Sequence, residues 1–270
     1  LGQREVKKIK SVPTGKIKRA AKIAGTGTKV GKNYIKYYSD VVFKKNKAQA
    51  KKDLNKSNAD DIYNGLTELR GSALKAAQML SMEQGLLPAE YVDKFSLAQF
   101  SVPPLSKPLV LKVFRKNFNQ SPNELFDKFE MSASKAASIG QVHKAEKDRR
   151  KFAVKVQYPG IADSVSSDLA IVKPLAMRLF NIKGEGSDRY FREIEEKLLE
   201  ETDYELELKE SIDFAKKCKA IGNVVFPQYY KQYSNKSIIT MDWMEGRQIS
   251  EFAKINKSEK ASNIVGQTLW

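Results

Sequence analysis

Cysteine and histidine are almost absent from this chain, whose 270 residues include one of each, Cys218 and His143. A lone cysteine excludes an internal disulfide framework and fits a reducing compartment such as the cytoplasm. One cysteine and one histidine also fall short of the roughly four nitrogen and sulfur ligands that a structural zinc site needs. The composition therefore directs the search for function away from thiol chemistry and zinc.

Long apolar runs are missing as well. No stretch approaches the ~20 apolar residues that span a bilayer, and the basic N-terminus has no apolar segment of the kind found in signal peptides. Hydrophobic residues nevertheless make up 41% of the chain and aromatic residues 10%, which is enough for a packed core. The sequence predicts a folded cytoplasmic protein that would meet a membrane only at its surface.

The net charge of +16 is concentrated at one end of the chain. Residues 1–56 hold 17 Lys or Arg and three acids, whereas the rest of the chain holds 31 bases and 29 acids. Apolar residues recur at helical spacing among these lysines. Three interpretations stay open: a solvated connector, an amphipathic segment that docks on an anionic membrane or a partner, and a nucleic-acid-binding tail. The nearly neutral body argues against nucleic acid.

Periodicity along the chain predicts an α+β fold. Two segments have the alternation of paired strands joined by a polar tip, and a second hairpin is predicted near residues 224–243. The predicted helices cover residues 58–86, Ala89–Phe100, residues 106–119, Ile161–Asn181, a long acidic helix Asp188–Ala220 and a last helix from Ser250, and the predicted strands are Gly140–Glu146 and Lys151–Gln157.

One lysine stands in an uncharged helical run, GSALKAAQMLSM. Lys75 projects away from an apolar stripe that ends at Leu80, and its own face is also uncharged, so it would snorkel to solvent or be paired. In the acidic helix, Glu201 projects close to an apolar stripe, although plain solvation is the common state of such a glutamate. We hypothesise that Lys75 and Glu201 form a buried pair.

A third feature is the strand Phe152-Ala-Val-Lys155-Val, whose lysine follows Ala-Val as in the phosphate-pairing strand of protein kinases. The preceding segment, Ser134 to His143, is rich in small residues. Small residues allow backbone N–H groups to approach phosphates. Together these two segments suggest a nucleotide phosphate site.

Four motifs in this order, LRGSALKAAQMLS, KAASIGQVHKA, AVKVQYPG and EETDYELE, resemble the UbiB/AarF atypical kinase-like family, from about residue 60 to the end. The resemblance implies a protein-kinase-like small lobe, with a twisted antiparallel sheet and a long helix, preceded by a family-specific helical extension. It divides the chain into a basic segment 1–56, a helical extension 57–128, a small lobe 129–246 and the start of a large lobe 247–270, which is otherwise missing.

The resemblance also implies roles for individual residues. Lys155 and its partner Glu207, and Lys75 with Glu201, match the family's catalytic lysines and glutamates. The K-x-G-Q and E-x-D motifs, the alanine-rich loop and the adenine-binding hinge would place further residues at the nucleotide: Gln78, Ala136, Ala137, Ser138, Gly140, Asp203, Asp242 and Met244. ATP with Mg²⁺ is the implied cofactor.

Two small departures and one large one qualify the match. Ala77 replaces the glycine of K-x-G-Q, and Lys135 replaces the first alanine of the loop. No aspartate follows Asp242, so the catalytic-loop and DFG-type residues find no match, and we expect the metal ligands beyond residue 270. We interpret the sequence, which begins with Leu1 and not Met, as a fragment.

The expected function is that of an ATP-binding atypical kinase or ATPase supporting isoprenoid-quinone biosynthesis or lipid homeostasis, with the fragment alone inactive. The alternative is a pseudokinase or scaffold that senses a nucleotide or lipid without turnover. ATP and an anionic membrane surface are the expected partners.

Overall fold

The computed structural model describes residues 16–43, 46–69, 71–83, 85–96, 104–136, 139–180, 182, 186–255 and 258–269. Its helices are α1 Lys16–Val42, α2 Lys47–Leu69, α3 Ser72–Met82, α4 Ala89–Ser96, α5 Lys107–Phe118, α6 Pro122–Leu125, α7 Ile161–Leu179, α8 Gly186–Thr202, α9 Tyr204–Lys217, α10 Ile249–Ile255 and α11 Glu259–Leu269. Its strands are β1 Lys128–Phe129, β2 Lys135–Ala136, β3 Gly140–Lys147, β4 Arg150–Gln157 and β5 Ile238–Asp242.

Helices α1 and α2 pair antiparallel through both apolar and polar contacts. The amide of Asn33 on α1 donates to the carboxylate of Asp61 on α2 at 2.8 Å. The side chain of Thr26 on α1 packs directly on Gly65 of α2, where an added Cβ would lie 2.1 Å from Thr26 Oγ1. The end of the basic segment is therefore a helix packed on the body, and the boundary predicted at residue 57 lies inside α2.

A sharp corner separates α2 from α3. Gly71 adopts a φ of +67°, in the left-handed region that glycine enters without steric cost, and this ends the helical path. The prediction of one helix over residues 58–86 was wrong, because a glycine inside an apolar periodic pattern looks tolerated in sequence. Helix α3 instead turns to pack on α4, α7 and α8.

The sheet is antiparallel throughout, in the order β1-β3-β4-β5, with β2 also pairing to β3. Asp148 and Arg149, both at positive φ, form the tight turn between β3 and β4. The predicted strands agree with β3 and β4 to within one residue. The second predicted hairpin has only one regular strand, β5, because Lys231–Tyr233 forms a 3₁₀ turn and Tyr229 contributes an isolated bridge.

The acidic stretch is two helices and not one. Asp203 stands between α8 and α9 with extended backbone, and its Oδ1 accepts hydrogen bonds from the amides of Glu205 and Leu206 at 3.1 and 3.0 Å. This side chain caps α9 by satisfying amides that have no helical partner. The prediction of an unbroken helix Asp188–Ala220 was wrong for this reason.

A buried polar network holds the core face of the sheet against the segment before α5. His143 is fully buried, and its Nδ1 donates to the Glu130 carbonyl while its Nε2 accepts from Gln141, each at 2.8 Å. Gln141 Oε1 in turn accepts from the Leu105 amide at 2.6 Å. Burial disfavours the charged imidazolium and lowers the pKa of His143.

The α+β prediction is confirmed: a small antiparallel sheet is surrounded by helices, and buried apolar residues of both parts form one continuous core. Across the ranges described, no helix combines the length and apolar character needed to cross a bilayer.

Candidate nucleotide site

Lys155 and Glu207 form a two-point contact at the centre of the site. Along β4 the side chains alternate, with Phe152, Val154 and Val156 buried and Lys155 half-buried on the opposite face. Glu207 lies in the first turn of α9, one turn after the cap Asp203. Lys155 Nζ donates to both carboxylate oxygens of Glu207, at 2.6 and 2.8 Å. Such a contact fixes a long side chain that would otherwise be mobile.

Tyr204 lies beneath this pair. Its ring is fully buried, and Lys155 Nζ sits 4.5 Å from the ring centroid, within the range of a cation–π contact. Burial, followed by the charges of Glu207 and Glu201, raises the pKa of Tyr204 well above its ordinary value, so the phenol is neutral. Its hydroxyl has no hydrogen-bond partner among the residues described. The ring thus supports Lys155 by packing.

Gly140 closes the other side of Tyr204. A Cβ at Gly140 would lie 2.7 Å from the Tyr204 hydroxyl oxygen and 2.9 Å from the Val156 carbonyl oxygen, closer than real Cβ contacts come. Glycine is required here by the approach of two neighbours. Sequence reasoning placed Gly140 at the phosphates, whereas this contact explains the glycine by packing.

Lys75 and Glu201 meet at a second ion pair. Lys75 Nζ lies 2.9 Å from Glu201 Oε1, and the two side chains are 22% and 32% exposed, so the pair is half-buried and not buried as hypothesised. Glu201 and Glu207 border the same cavity of about 280 Å³ at the joint of α8 and α9. The glutamates of the two pairs therefore border one space, whose lining includes neither Lys75 nor Lys155. Gln78, one turn along α3, is buried.

The face of the sheet around Lys155 also offers an apolar surface. In the antiparallel register, Val142 lies opposite Lys155, and Ala153 lies opposite Met241. Residues paired in this way project to one face. Sequence reasoning missed Val142, Ala153 and Met241, although alternation along β4 places Ala153 on the face of Lys155.

The backbone N–H groups at the end of β5 and just after it are already hydrogen-bonded. The amide of Asp242 donates to the Gln228 carbonyl at 2.9 Å, and that of Trp243 donates to the Lys151 carbonyl at 3.0 Å. The Asp242 carboxylate accepts from the Gln228 amide and from Tyr230, at 2.9 and 2.7 Å, and so braces the 228–230 segment. Met244, half-exposed, follows directly.

Asp203 and Ala136, two further predicted nucleotide-site residues, belong to the cap of α9 and to strand β2. The carboxylate oxygen Oδ1 of Asp203 is used in capping α9. Ala136 lies in β2, opposite Gln141 of β3, so part of the predicted alanine-rich loop is strand. Ala137 and Ser138 fall outside the described residues.

Comparison with known proteins identifies the family of this chain. The ABC1 atypical kinase-like domain matches residues 97–270. The chain belongs to this family. The resemblance to UbiB/AarF proteins is thereby confirmed, and with it the kinase-like character of the fold.

The similar proteins differ in how much of this chain they match. "Atypical kinase COQ8, mitochondrial" of Saccharomyces cerevisiae is 31% identical over 99% of this chain and 54% of its own length. "Protein ACTIVITY OF BC1 COMPLEX KINASE 8, chloroplastic" of Arabidopsis thaliana is 29% identical over 73% of this chain and 26% of its own. A solved structure of Rv3197 with erythromycin from Mycobacterium tuberculosis covers 80% of this chain and 55% of that one, at 28% identity and a TM-score of 0.48.

The chain spans about half the length, or less, of these curated relatives. In this ABC1-family chain, the part that the structure describes has no group of three or more His, Cys, Asp or Glu side chains placed to hold a metal ion. Among the described residues, no such cluster is available to hold the Mg²⁺ that the resemblance implies.

Proposed function

We propose that ATP binds at the half-buried face of the sheet around Lys155, in a cleft that Lys75 borders, as in the nucleotide-binding part of an atypical kinase or ATPase. The observation that carries the proposal is the two-point Lys155–Glu207 contact on the half-buried face of β4. It holds a cation beside an apolar surface, which is the combination that a base and a polyphosphate require. The relatives' names as kinases support the same activity.

Each part of the cleft would have its own task. Val142, Ala153 and Met241 would cover the base, and backbone groups at Met244 would bond to its edge. Lys155 would contact the phosphates and stabilise their charge, with Glu207 and Tyr204 holding it in place. An ATP bound here would supply the phosphoryl group for transfer or hydrolysis.

By the family resemblance, Lys75 would lie where a protein substrate approaches in an ordinary kinase, and its contact with Glu201 supports a fixed position there. We therefore infer ATPase or small-molecule kinase activity for the whole protein. The family resemblance supports a role in isoprenoid-quinone biosynthesis or lipid homeostasis. If the whole protein phosphorylated ordinary protein substrates efficiently with Lys75 intact, this inference would be wrong.

The proposal is tested by titrating the whole protein with a fluorescent ATP analogue. Lys155→Ala removes the cation and should weaken binding about tenfold or more, equivalent to ~1.4 kcal/mol. Lys128→Ala is the control, because that lysine is on the same sheet with a side chain 64% exposed. Equal affinities for wild type and both variants would contradict the proposal.

Hydrolysis assays on the same preparations separate two activities. Nucleotide binding with turnover, in the presence of metal and lipid, supports the kinase or ATPase. Binding that never leads to turnover would favour a pseudokinase or scaffold that senses nucleotide or lipid.

We also propose that the end of α1 meets an anionic membrane surface. Ile35, Tyr38 and Val42 recur at helical spacing and are 72%, 63% and 75% exposed. Lys36 lies between Ile35 and Tyr38 in sequence and Lys32 lies one turn earlier, as in helices that lie in a lipid interface. Co-sedimentation with phosphatidylserine vesicles should fall for Tyr38→Asp, and the same low binding for wild type would contradict the idea.

A further inference from the structure

Helix α1 is fastened to the body at a buried arginine. Arg19 is 4% exposed, and its guanidinium donates to both carboxylate oxygens of Asp168 on α7, at 2.7 and 2.5 Å. A third donor, Nη1, reaches the Leu69 carbonyl at the end of α2, at 3.0 Å. A buried charge persists only when paired and hydrogen-bonded in this way. One residue of α1 therefore ties α2 and α7 together.

The same carboxylate also holds α3. Ser72 is the first residue of α3, is fully buried, and donates its hydroxyl to Asp168 Oδ2. Ser164, one turn before Asp168 on α7, directs its hydroxyl to the same oxygen at 3.3 Å. Asp168 thus accepts from α1 and from the start of α3 at once.

The turn at Gly71 restricts the direction in which α3 begins. Gly71 turns the chain at a φ of +67°, and a Cβ there would lie 3.1 Å from Ile161 Cγ1. The direction of α3 is therefore set by contacts at this corner and not by a continuous path from α2. Lys75 is on the first turn after the corner.

We propose that Arg19, Asp168 and Ser72 are positioning residues for Lys75. They set the direction of α3 and so hold Lys75 against Glu201 at the edge of the cleft. The N-terminal helix is then a working part of the site and not a connector. The functional meaning of this inference rests on the proposed nucleotide site, but its geometric content does not.

The test measures how fast an amine-reactive acetylating reagent labels Lys75 in the whole protein, read by mass spectrometry. Ser72→Ala leaves the Arg19–Asp168 pair intact and removes the hydroxyl that links α3 to Asp168 and Ser164 of α7. It should speed labelling of Lys75 by between about twofold and a hundredfold, the range spanned by coupling between contacting residues. Lys155 is the internal reference, because general loosening would expose both lysines alike.

A second variant tests the same inference in case Ser72→Ala fails to fold. Arg19→Met combined with Asp168→Leu fills the same space with apolar side chains, a replacement that buried ion pairs often tolerate. It too should speed labelling of Lys75 relative to Lys155. Lys22→Ala is the matched control. Lys22 on α1 pairs with Glu68 on α2, but the two side chains are 47% and 56% exposed, so this pair is not buried. The control should label as wild type.

Two outcomes overturn the inference: unchanged Lys75 labelling in Ser72→Ala, or equal increases at Lys75 and Lys155. ATP-analogue titration of the same preparations separates this inference from the proposed function. Faster Lys75 labelling in a protein that binds no nucleotide would retain the positioning and reject the ATP site. Nucleotide binding with unchanged labelling would do the reverse.

Discussion

The two lysine–glutamate pairs are alike in exposure and unlike in support. Lys155 and Glu207 are 22% and 34% exposed, and Lys75 and Glu201 are 22% and 32% exposed. The first pair rests on a hydrogen-bonded strand, with Tyr204 packed beneath it. The second depends on a helix whose start is fixed by a buried ionic cluster. Half-exposed ion pairs gain modestly from Coulomb attraction, so what surrounds each pair decides its geometry.

This contrast shows that the two lysines of the site are supported by different interactions. The sheet half holds its lysine by close packing around a neutral ring, and the helical half holds its lysine by charge buried far from the cleft. Each kind of support fails differently: packing fails when volume is added, whereas a buried ion pair fails when one partner is removed.

The largest effect is expected from Asp168→Ala in the helical half. Asp168 is fully buried, and its loss leaves the Arg19 guanidinium without its carboxylate. Removing one partner of a buried pair should lower the free energy of unfolding by about 3–5 kcal/mol. Chemical denaturation measures it, with Asp188→Ala as control, since that carboxylate is exposed and should matter little. A loss no greater than the control's would show that the cluster is not a support.

Gly140→Ala should be next, and it acts on the sheet half. The new Cβ would press on Tyr204 and on the Val156 carbonyl, so we expect a loss of about 1–3 kcal/mol in unfolding free energy. It should also reduce affinity for an ATP analogue, because Tyr204 carries Lys155. Gly266→Ala is the control: a Cβ there meets open space. Wild-type stability and affinity in Gly140→Ala would remove packing as the support of this pair.

The stability of the sheet half should depend on pH through His143. The pKa of His143 is lowered by burial in the folded state, so its neutral form is favoured there. The stability it confers is therefore complete above the ordinary histidine pKa of about 6.5 and is lost as pH falls from there through the lowered folded value. Since His143 is the only histidine in the chain, His143→Gln should remove this component from melting curves recorded between neutral and mildly acidic pH. A wild-type curve that does not change over this window would contradict the assignment.

The smallest effect is expected from Tyr204→Phe. The hydroxyl has no hydrogen-bond partner among the described residues, so its removal should leave stability and nucleotide affinity nearly unchanged. Tyr204→Leu is the informative comparison, because it removes the ring face under Lys155 and should weaken nucleotide binding by about two- to tenfold, in line with a cation–π contact of ~0.5–1 kcal/mol or more. Equal behaviour of the two variants would show that the ring face does not hold Lys155.

The sheet half was the more predictable from sequence. Alternation of buried and half-buried residues around Lys155 is visible in the chain, and strands β3 and β4 were predicted to within one residue. Helical phase pairs Lys75 with Glu201 on two helices taken as unbroken, yet Gly71 and Asp203 interrupt both. The pair is close in space because the corners redirect the helices, which no periodicity could show.

The chain by itself determined its local periods, the strand that carries Lys155, the α+β class and the family to which it belongs, since these depend on neighbours along the sequence. Only the tertiary structure decided which charges are buried. Arg19 is one of many bases in a lysine-rich segment, and nothing around it in sequence marks its partner, Asp168. Burial is a property of contacts between distant segments, and it alone separates this arginine from its solvated neighbours.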